Sequence, residues 1–185
     1  MIDVFSANLI AKPLTSDKYC VRGCGDFGTT NLEFDWSPNS NNIVFAFSPS
    51  LGFDYFHLDS SLATVNLVTG VTTPWERKEM FEAMPRYSPN GKTVAYMSSD
   101  SVQRYAINRR VALRSAEGNF LNILAPTFNE GAFIAGPSLL GWSKNSENIL
   151  FFEPKGTKFH LVFLPVDGSP AKQLETGDCF LKNPF

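Results

Sequence analysis

The chain has 185 residues, 43% of them hydrophobic and 18% charged, with a formal net charge of −2. That length suffices for one domain with a core of its own, and so balanced a charge gives no general field that attracts nucleic acid or an anionic membrane. No apolar run reaches the roughly 18 residues of a helical membrane span, while seventeen Phe, three Trp and five Tyr lean the composition toward strands.

The start, MIDVFSANLIAKPLTSD (1–17), has neither a basic n-region nor an apolar h-region, so it does not read as a secretory signal. Its KPLTSD parallels KQLETGD (172–178), so 1–17 reads as the last strands of a preceding unit. Cys20, Cys24 and Cys179 are an odd, sparse set, and no N-x-S/T sequon occurs. Both favour a reducing, cytoplasmic compartment, or a piece of a longer precursor. Cys20 and Cys24 lack the two further ligands a zinc site wants, and no metal is expected. GCGDFG (23–28) matches G-x-G-x-x-G, but strand-like TTNLEFDWSP follows it. A dinucleotide fingerprint must open a helix, so this is read as a connecting loop and no cofactor is expected.

A repeat begins at residue 32. FDWSPNSNNIVFAFS (34–48), MPRYSPNGKTVAYMSS (84–99) and LLGWSKNSENILFFE (139–153) align on Trp36, Tyr87 and Trp142, each followed by Ser37, Ser88 or Ser143. The aromatics lie 51 and 55 positions apart, a period that signals repeat architecture. In SPNG (88–91), Pro presets φ for a turn, Asn suits the next position, and Gly takes the left-handed one. That is a short hairpin loop with a bulge. Ser40 and Ser146 stand where Gly91 does, so both are expected to carry the strain of a positive φ.

Each hairpin leads into two more strand-like runs: LATVNLVTG (62–70) with VTTPW (71–75), RRVALRSAEG (109–118) with FLNILAP (120–126), and FHLVFLPVDG (159–168) with PAKQLETG (170–177). Gly70, Gly118 and Gly168 mark equivalent turns. The units are therefore 32–75, 85–126 and 139–177, each four short antiparallel strands, with 178–185 as the start of a further one. This is the grammar of a β-propeller blade. The expected fold is all-β: an incomplete β-propeller of about three and a half blades across 1–185. The inserts 49–61 and 127–139 are loops, and only PWERKEMFEAM (74–84) is given a helical turn.

The motifs FDWSPNS, PRYSPNGKTVAY, LGWSKNSENILFF and LPVDGSPAKQLETGD resemble the β-propeller of the prolyl oligopeptidase family of serine peptidases, in its acylaminoacyl-peptidase and dipeptidyl-peptidase-like members, and the related TolB-type propellers. The resemblance implies a propeller that caps an α/β-hydrolase domain and limits access to oligopeptides. Neither GPSLLG (136–141) nor GWSKN (141–145) completes G-x-S-x-G, so no catalytic residue is carried over and the chain itself is expected to be no enzyme.

The remaining polar groups each have a plain structural reading. Asp54, His57 and Asp59 share an insert and read as a solvated loop. His160 alternates along a strand and reads as a sheet histidine. Arg104, Arg109, Arg110 and Arg114 read as a solvated blade edge, the alternative being a carboxylate or acidic-patch site. Glu76, Glu79 and Glu82 resemble the acidic residues with which some dipeptidyl-type relatives hold a peptide amino terminus, but nothing in their spacing requires that role.

The open faces of a partial ring set the expected partners. About three large apolar side chains per face, at about 1.5–3 kcal/mol each, make about 5–9 kcal/mol, against a total stability of about 5–15 kcal/mol. The faces are therefore expected to be covered, by a hydrolase-bearing parent chain or by self-association. Peptides are the expected substrates to be gated, with no nucleic-acid or membrane partner. The second functional reading is a stand-alone TolB-like interaction module.

Overall fold

The computed structural model describes residues 12–16, 19–21, 33–48, 60–77, 81–99, 110–124, 127, 138–155 and 158–174. These residues form three antiparallel sheets. The first holds β1 (Cys20–Val21), β2 (Phe34–Trp36), β3 (Asn42–Ser48), β4 (Ser61–Asn66) and β5 (Thr72–Pro74). The second runs β6 (Phe81–Tyr87), β7 (Thr93–Ser99), β8 (Arg110–Ser115), β9 (Phe120–Ile123), and the third β10 (Ser138–Trp142), β11 (Asn148–Lys155), β12 (Lys158–Pro165), β13 (Lys172–Leu174).

The aromatic repeat lands in one register. Trp36 pairs with Ile43, Tyr87 with Val94, and Trp142 with Ile149. Ser40, Gly91 and Ser146 have φ of 58°, 71° and 62°, so the bulge residue is left-handed in all three hairpins. The motif serine explains the rest of the turn. Ser37, Ser88 and Ser143 each receive the N–H that closes the loop, from Asn42, Thr93 and Asn148 at 2.9, 3.0 and 3.0 Å. Their hydroxyls lie 2.8, 2.8 and 2.6 Å from the Oδ1 of Asn39, Asn90 and Asn145. The hydroxyl thus replaces a backbone partner that a two-residue loop would have supplied. Gly70, Gly118 and Gly168 are also left-handed, at 71°, 94° and 87°.

Alternation along each middle strand builds two slabs of core. Val44, Ala46, Leu62 and Trp75 of the first sheet meet Tyr87, Val94, Tyr96 and Ala112 of the second. On its other side the second sheet sends Ala95, Met97, Val111 and Leu113 against Ile149, Val162 and Leu164 of the third. The second sheet is thus covered on both faces, which is why β7 reads as a continuous buried run rather than an alternating one.

Three expectations are corrected. Residues 81–84 are extended in β6, not helical. Pairing with β7 and the proline at 85, which disfavours a helical residue before it, outweigh the helix-forming Glu and Met. The first sheet has five strands rather than four, because β2 covers only Ile43–Phe45 and β1 pairs with the remaining Phe47 and Ser48. The open face of this sheet is also less bare than supposed. Ile43, Phe45 and Phe47 are buried, and the Tyr19 ring stands edge-on to Phe45 and Phe47 at 6.0 and 5.0 Å. Phe34 and Trp36 are what remain exposed there.

Candidate functional site

The densest polar chemistry among the described residues lies between the first and second sheets. Ser60, just ahead of β4, forms a parallel bridge with Phe81. Its carbonyl accepts the Glu82 N–H at 3.0 Å, and its hydroxyl donates to the Glu82 carbonyl at 2.8 Å. Glu82, Ser98 and Tyr96 share the face of the second sheet that looks at the first, as does Arg114 on β8. Arg114 and Glu82 are both fully buried and form an ion pair.

The guanidinium is held on several sides. Nη1 donates to the Gly118 carbonyl at 2.8 Å. Its carbon sits 5.8 Å from the Trp75 ring and 5.4 Å from the Tyr96 ring, within cation–π range. Gly118 lies so close to Trp75 that an added Cβ would fall 2.5 Å from the indole. Trp75 comes from the first sheet's final connection, so the cluster locks one sheet to the next.

A second set of contacts runs along the inner strands. Glu33, itself buried, accepts the Met84 N–H at 3.0 Å. Met84 has φ of 53° beside the β6 bulge, so a carboxylate from one sheet holds a strained backbone in the next. Asp35 accepts the Tyr87 N–H at 2.8 Å. Burial lowers the Arg86 pKa, and the carboxylates of Asp35 and Glu33 oppose that shift. Burial pushes the Tyr87 phenol up to about 12, with Asp35 and Glu117 adding to it. The third sheet repeats the theme: Trp142 donates its indole N–H to the Arg86 carbonyl at 3.0 Å, and Asn90 N–H reaches the Ser146 hydroxyl at 3.1 Å.

The Trp75, Glu33, Asp35, Trp142 and Asn90 contacts join one sheet to the next, the Glu82–Arg114 pair lies within the second sheet, and the reading of the arginine cluster is revised. Glu82 is buried and spent on Arg114, so it is not offered to a peptide amine; Glu76 is exposed and Glu79 lies outside the described residues. Arg114 is no solvated edge, whereas Arg110 is exposed; Arg104 and Arg109 lie outside the described residues. His160 lies half-buried on β12. Ser143 is a turn serine bonded to Asn145 and Asn148. GCGDFG (23–28), Asp54, His57, Asp59, Cys24 and Cys179 fall outside the described residues, while Cys20 starts β1. Among the described residues no group of three or more His, Cys, Asp and Glu is placed to hold a metal ion.

Three sheets of four- or five-strand order, joined side by side through one repeated register, decide the architecture. The chain is part of a β-propeller. The propeller is similar to TolB from Acinetobacter baumannii, with a TM-score of 0.52 and 19% identity over 75% of this chain and 33% of that one. The β-propeller domain of the Trilobed protease from Pyrococcus furiosus is similarly close, with a TM-score of 0.52 and 16% identity over 75% of this chain and 40% of that one. In sequence the propeller is 23% identical over 147 residues to Dipeptidyl-peptidase 5 of Porphyromonas gingivalis. That match takes in 78% of this chain and 21% of the relative, so the propeller spans about a fifth of its length. No protein-family profile matches the sequence.

Proposed function

We propose that these blades are the non-catalytic propeller segment of a prolyl-oligopeptidase-family serine peptidase. In this reading they gate or orient peptides for a hydrolase domain that the 185 residues do not carry. The observation that carries the reading is the match to Dipeptidyl-peptidase 5 over 78% of the chain. The chemistry agrees with it: buried Glu82 and Arg114 are spent on each other inside the second blade and buried Glu33 on a backbone N–H of the neighbouring blade, which suits a rigid frame rather than a reaction centre. A second reading, a TolB-like interaction module, draws on the likeness to the Acinetobacter TolB.

One experiment separates them. The transcript is sequenced through the codon for Phe185, and the purified natural product is treated with a fluorophosphonate probe. The peptidase reading expects a downstream segment with G-x-S-x-G and label confined to it. A transcript without such a segment leaves the module. A labelled serine within 1–185 sinks both.

A further inference from the structure

The sequence holds one Asn-Gly pair, Asn90–Gly91, and it forms the tip of the first hairpin of the second blade. In the flanking blades the same place in the turn is taken by Asn39–Ser40 and Asn145–Ser146. The difference has a chemical consequence. The backbone nitrogen after an asparagine can attack the side-chain amide, and a glycine, with no Cβ, leaves that approach unhindered. A serine crowds it.

The folded turn ties down both reacting groups. The Gly91 N–H donates to the Ser88 carbonyl at 2.8 Å. Asn90 Oδ1 accepts the Lys92 N–H at 2.9 Å and lies 2.8 Å from the Ser88 hydroxyl. Nitrogen and amide are each turned to another partner, so attack requires the hairpin tip to open. The tip also sits between two joints. A Cβ on Gly91 would lie 3.7 Å from the Pro38 ring of the first blade, and the Asn90 N–H reaches the Ser146 hydroxyl of the third at 3.1 Å.

We propose that Asn90 is a deamidation site held in check by its own hairpin, and that its conversion loosens the blade joints on either side. When the tip opens, the Gly91 nitrogen bonds to Asn90 Cγ, the bond from Cγ to the side-chain nitrogen breaks, and ammonia leaves with the Gly91 proton. Water then opens the five-membered imide at either carbonyl, giving aspartate or isoaspartate. Aspartate still accepts from the Lys92 N–H and the Ser88 hydroxyl. Isoaspartate puts one more carbon into the backbone, between the nitrogen that reaches Ser146 and the glycine that packs on Pro38. The inference concerns the frame alone, so its failure leaves the peptidase reading standing.

The test is peptide mapping by mass spectrometry on the natural protein, aged in mildly alkaline buffer with and without urea. It follows residues 39, 90 and 145 whatever chain lies beyond them. In urea Asn90 is expected to convert several times faster than Asn39 or Asn145. Without urea its conversion is expected to slow by at least about tenfold, since two or more hydrogen bonds, at about fivefold each, must break first. Ser88→Ala, its fold checked by circular dichroism, is expected to raise the rate without urea about fivefold. Ser88 is fully buried and also receives the Thr93 N–H, so the decisive variant is Ser40→Gly, which is expected to bring Asn39 in urea up to the rate of Asn90. The isoaspartyl form, separated by ion exchange, is expected to melt below Asn90→Asp. An Asn90 that ages equally fast folded and unfolded, an Asn39 indifferent to Ser40→Gly, or an isoaspartyl chain as stable as Asn90→Asp overturns the proposal.

Discussion

Ser40 and Ser146 occupy left-handed positions that glycine fills in the middle blade, with φ of 58° and 62°. A side chain there costs about 1–2 kcal/mol, against about 0.4–1 kcal/mol that glycine loses through the freer unfolded chain. Ser40→Gly is therefore expected to stabilise the chain by about 0.5–1 kcal/mol, read as a raised midpoint in urea. Ser146 differs, because its hydroxyl accepts the Asn90 N–H from the neighbouring blade. Losing that bond offsets the relief, so Ser146→Gly is expected near neutral; an equal gain at both sites would mean the inter-blade bond contributes nothing. The Glu82–Arg114 pair is a stronger case. Removing one partner strands a buried charge, at about 3–5 kcal/mol, whereas replacing both with apolar groups is often neutral. Glu82→Leu and Arg114→Met are each expected to destabilise strongly, and the double variant to recover most of the loss in a denaturation series. Additive losses would show that the pair is not a unit. Sequence alone placed Arg114 in solvent because β8 is buried on both faces, and a strand of that kind has no polar–apolar alternation to mark which positions are inside.

The three blades use the same second hairpin with different loads on it. Gly70 and Gly168 have open space where a Cβ would go, while Gly118 sits under the Trp75 indole at 2.5 Å. Alanine at 70 or 168 is expected to cost only its backbone strain, about 1–2 kcal/mol. Gly118→Ala adds a clash and shifts the carbonyl that receives Arg114, so it is expected to cost about 1–3 kcal/mol more. Three equal losses, compared by urea midpoints, would show that the Trp75 contact yields freely. The strands themselves were legible. Turn residues at fixed offsets place both hairpins of each blade, because a left-handed position and a proline are properties of single residues. The five-stranded first sheet was not legible, since Cys20–Val21 is two residues long and is recruited only by the uncovered end of β3. The site was legible least. Its acid and base, Glu82 and Arg114, stand on β6 and β8 of one blade but far apart in sequence, and only the packing of the first blade brings Trp75 over them.

At the scale of the whole molecule the blades form a row in which each touches only its neighbours, so the row holds as well as its joints do. The joint between the first and second blades contains a titratable reporter. Tyr87 packs into the slab shared by both, and its phenol is raised from 10.0 to about 12, first by burial and then by the charges of Asp35 and Glu117. A phenol whose pKa is higher folded than unfolded favours the folded state fully below pH 10 and loses that contribution as pH climbs toward 12. Ionisation there asks for a charge beside a carboxylate in an apolar slab, and the way to provide for it is to part the two blades. The melting temperature is therefore expected to fall between pH 10 and 12. Tyr87→Phe keeps the ring and removes the titration, so the fall should be shallower in that variant. Superimposable alkaline curves for the two proteins would mean that the phenol reaches water without separating the blades, and the joint at Tyr87 would then be looser than its packing against Trp75 and Leu62 implies.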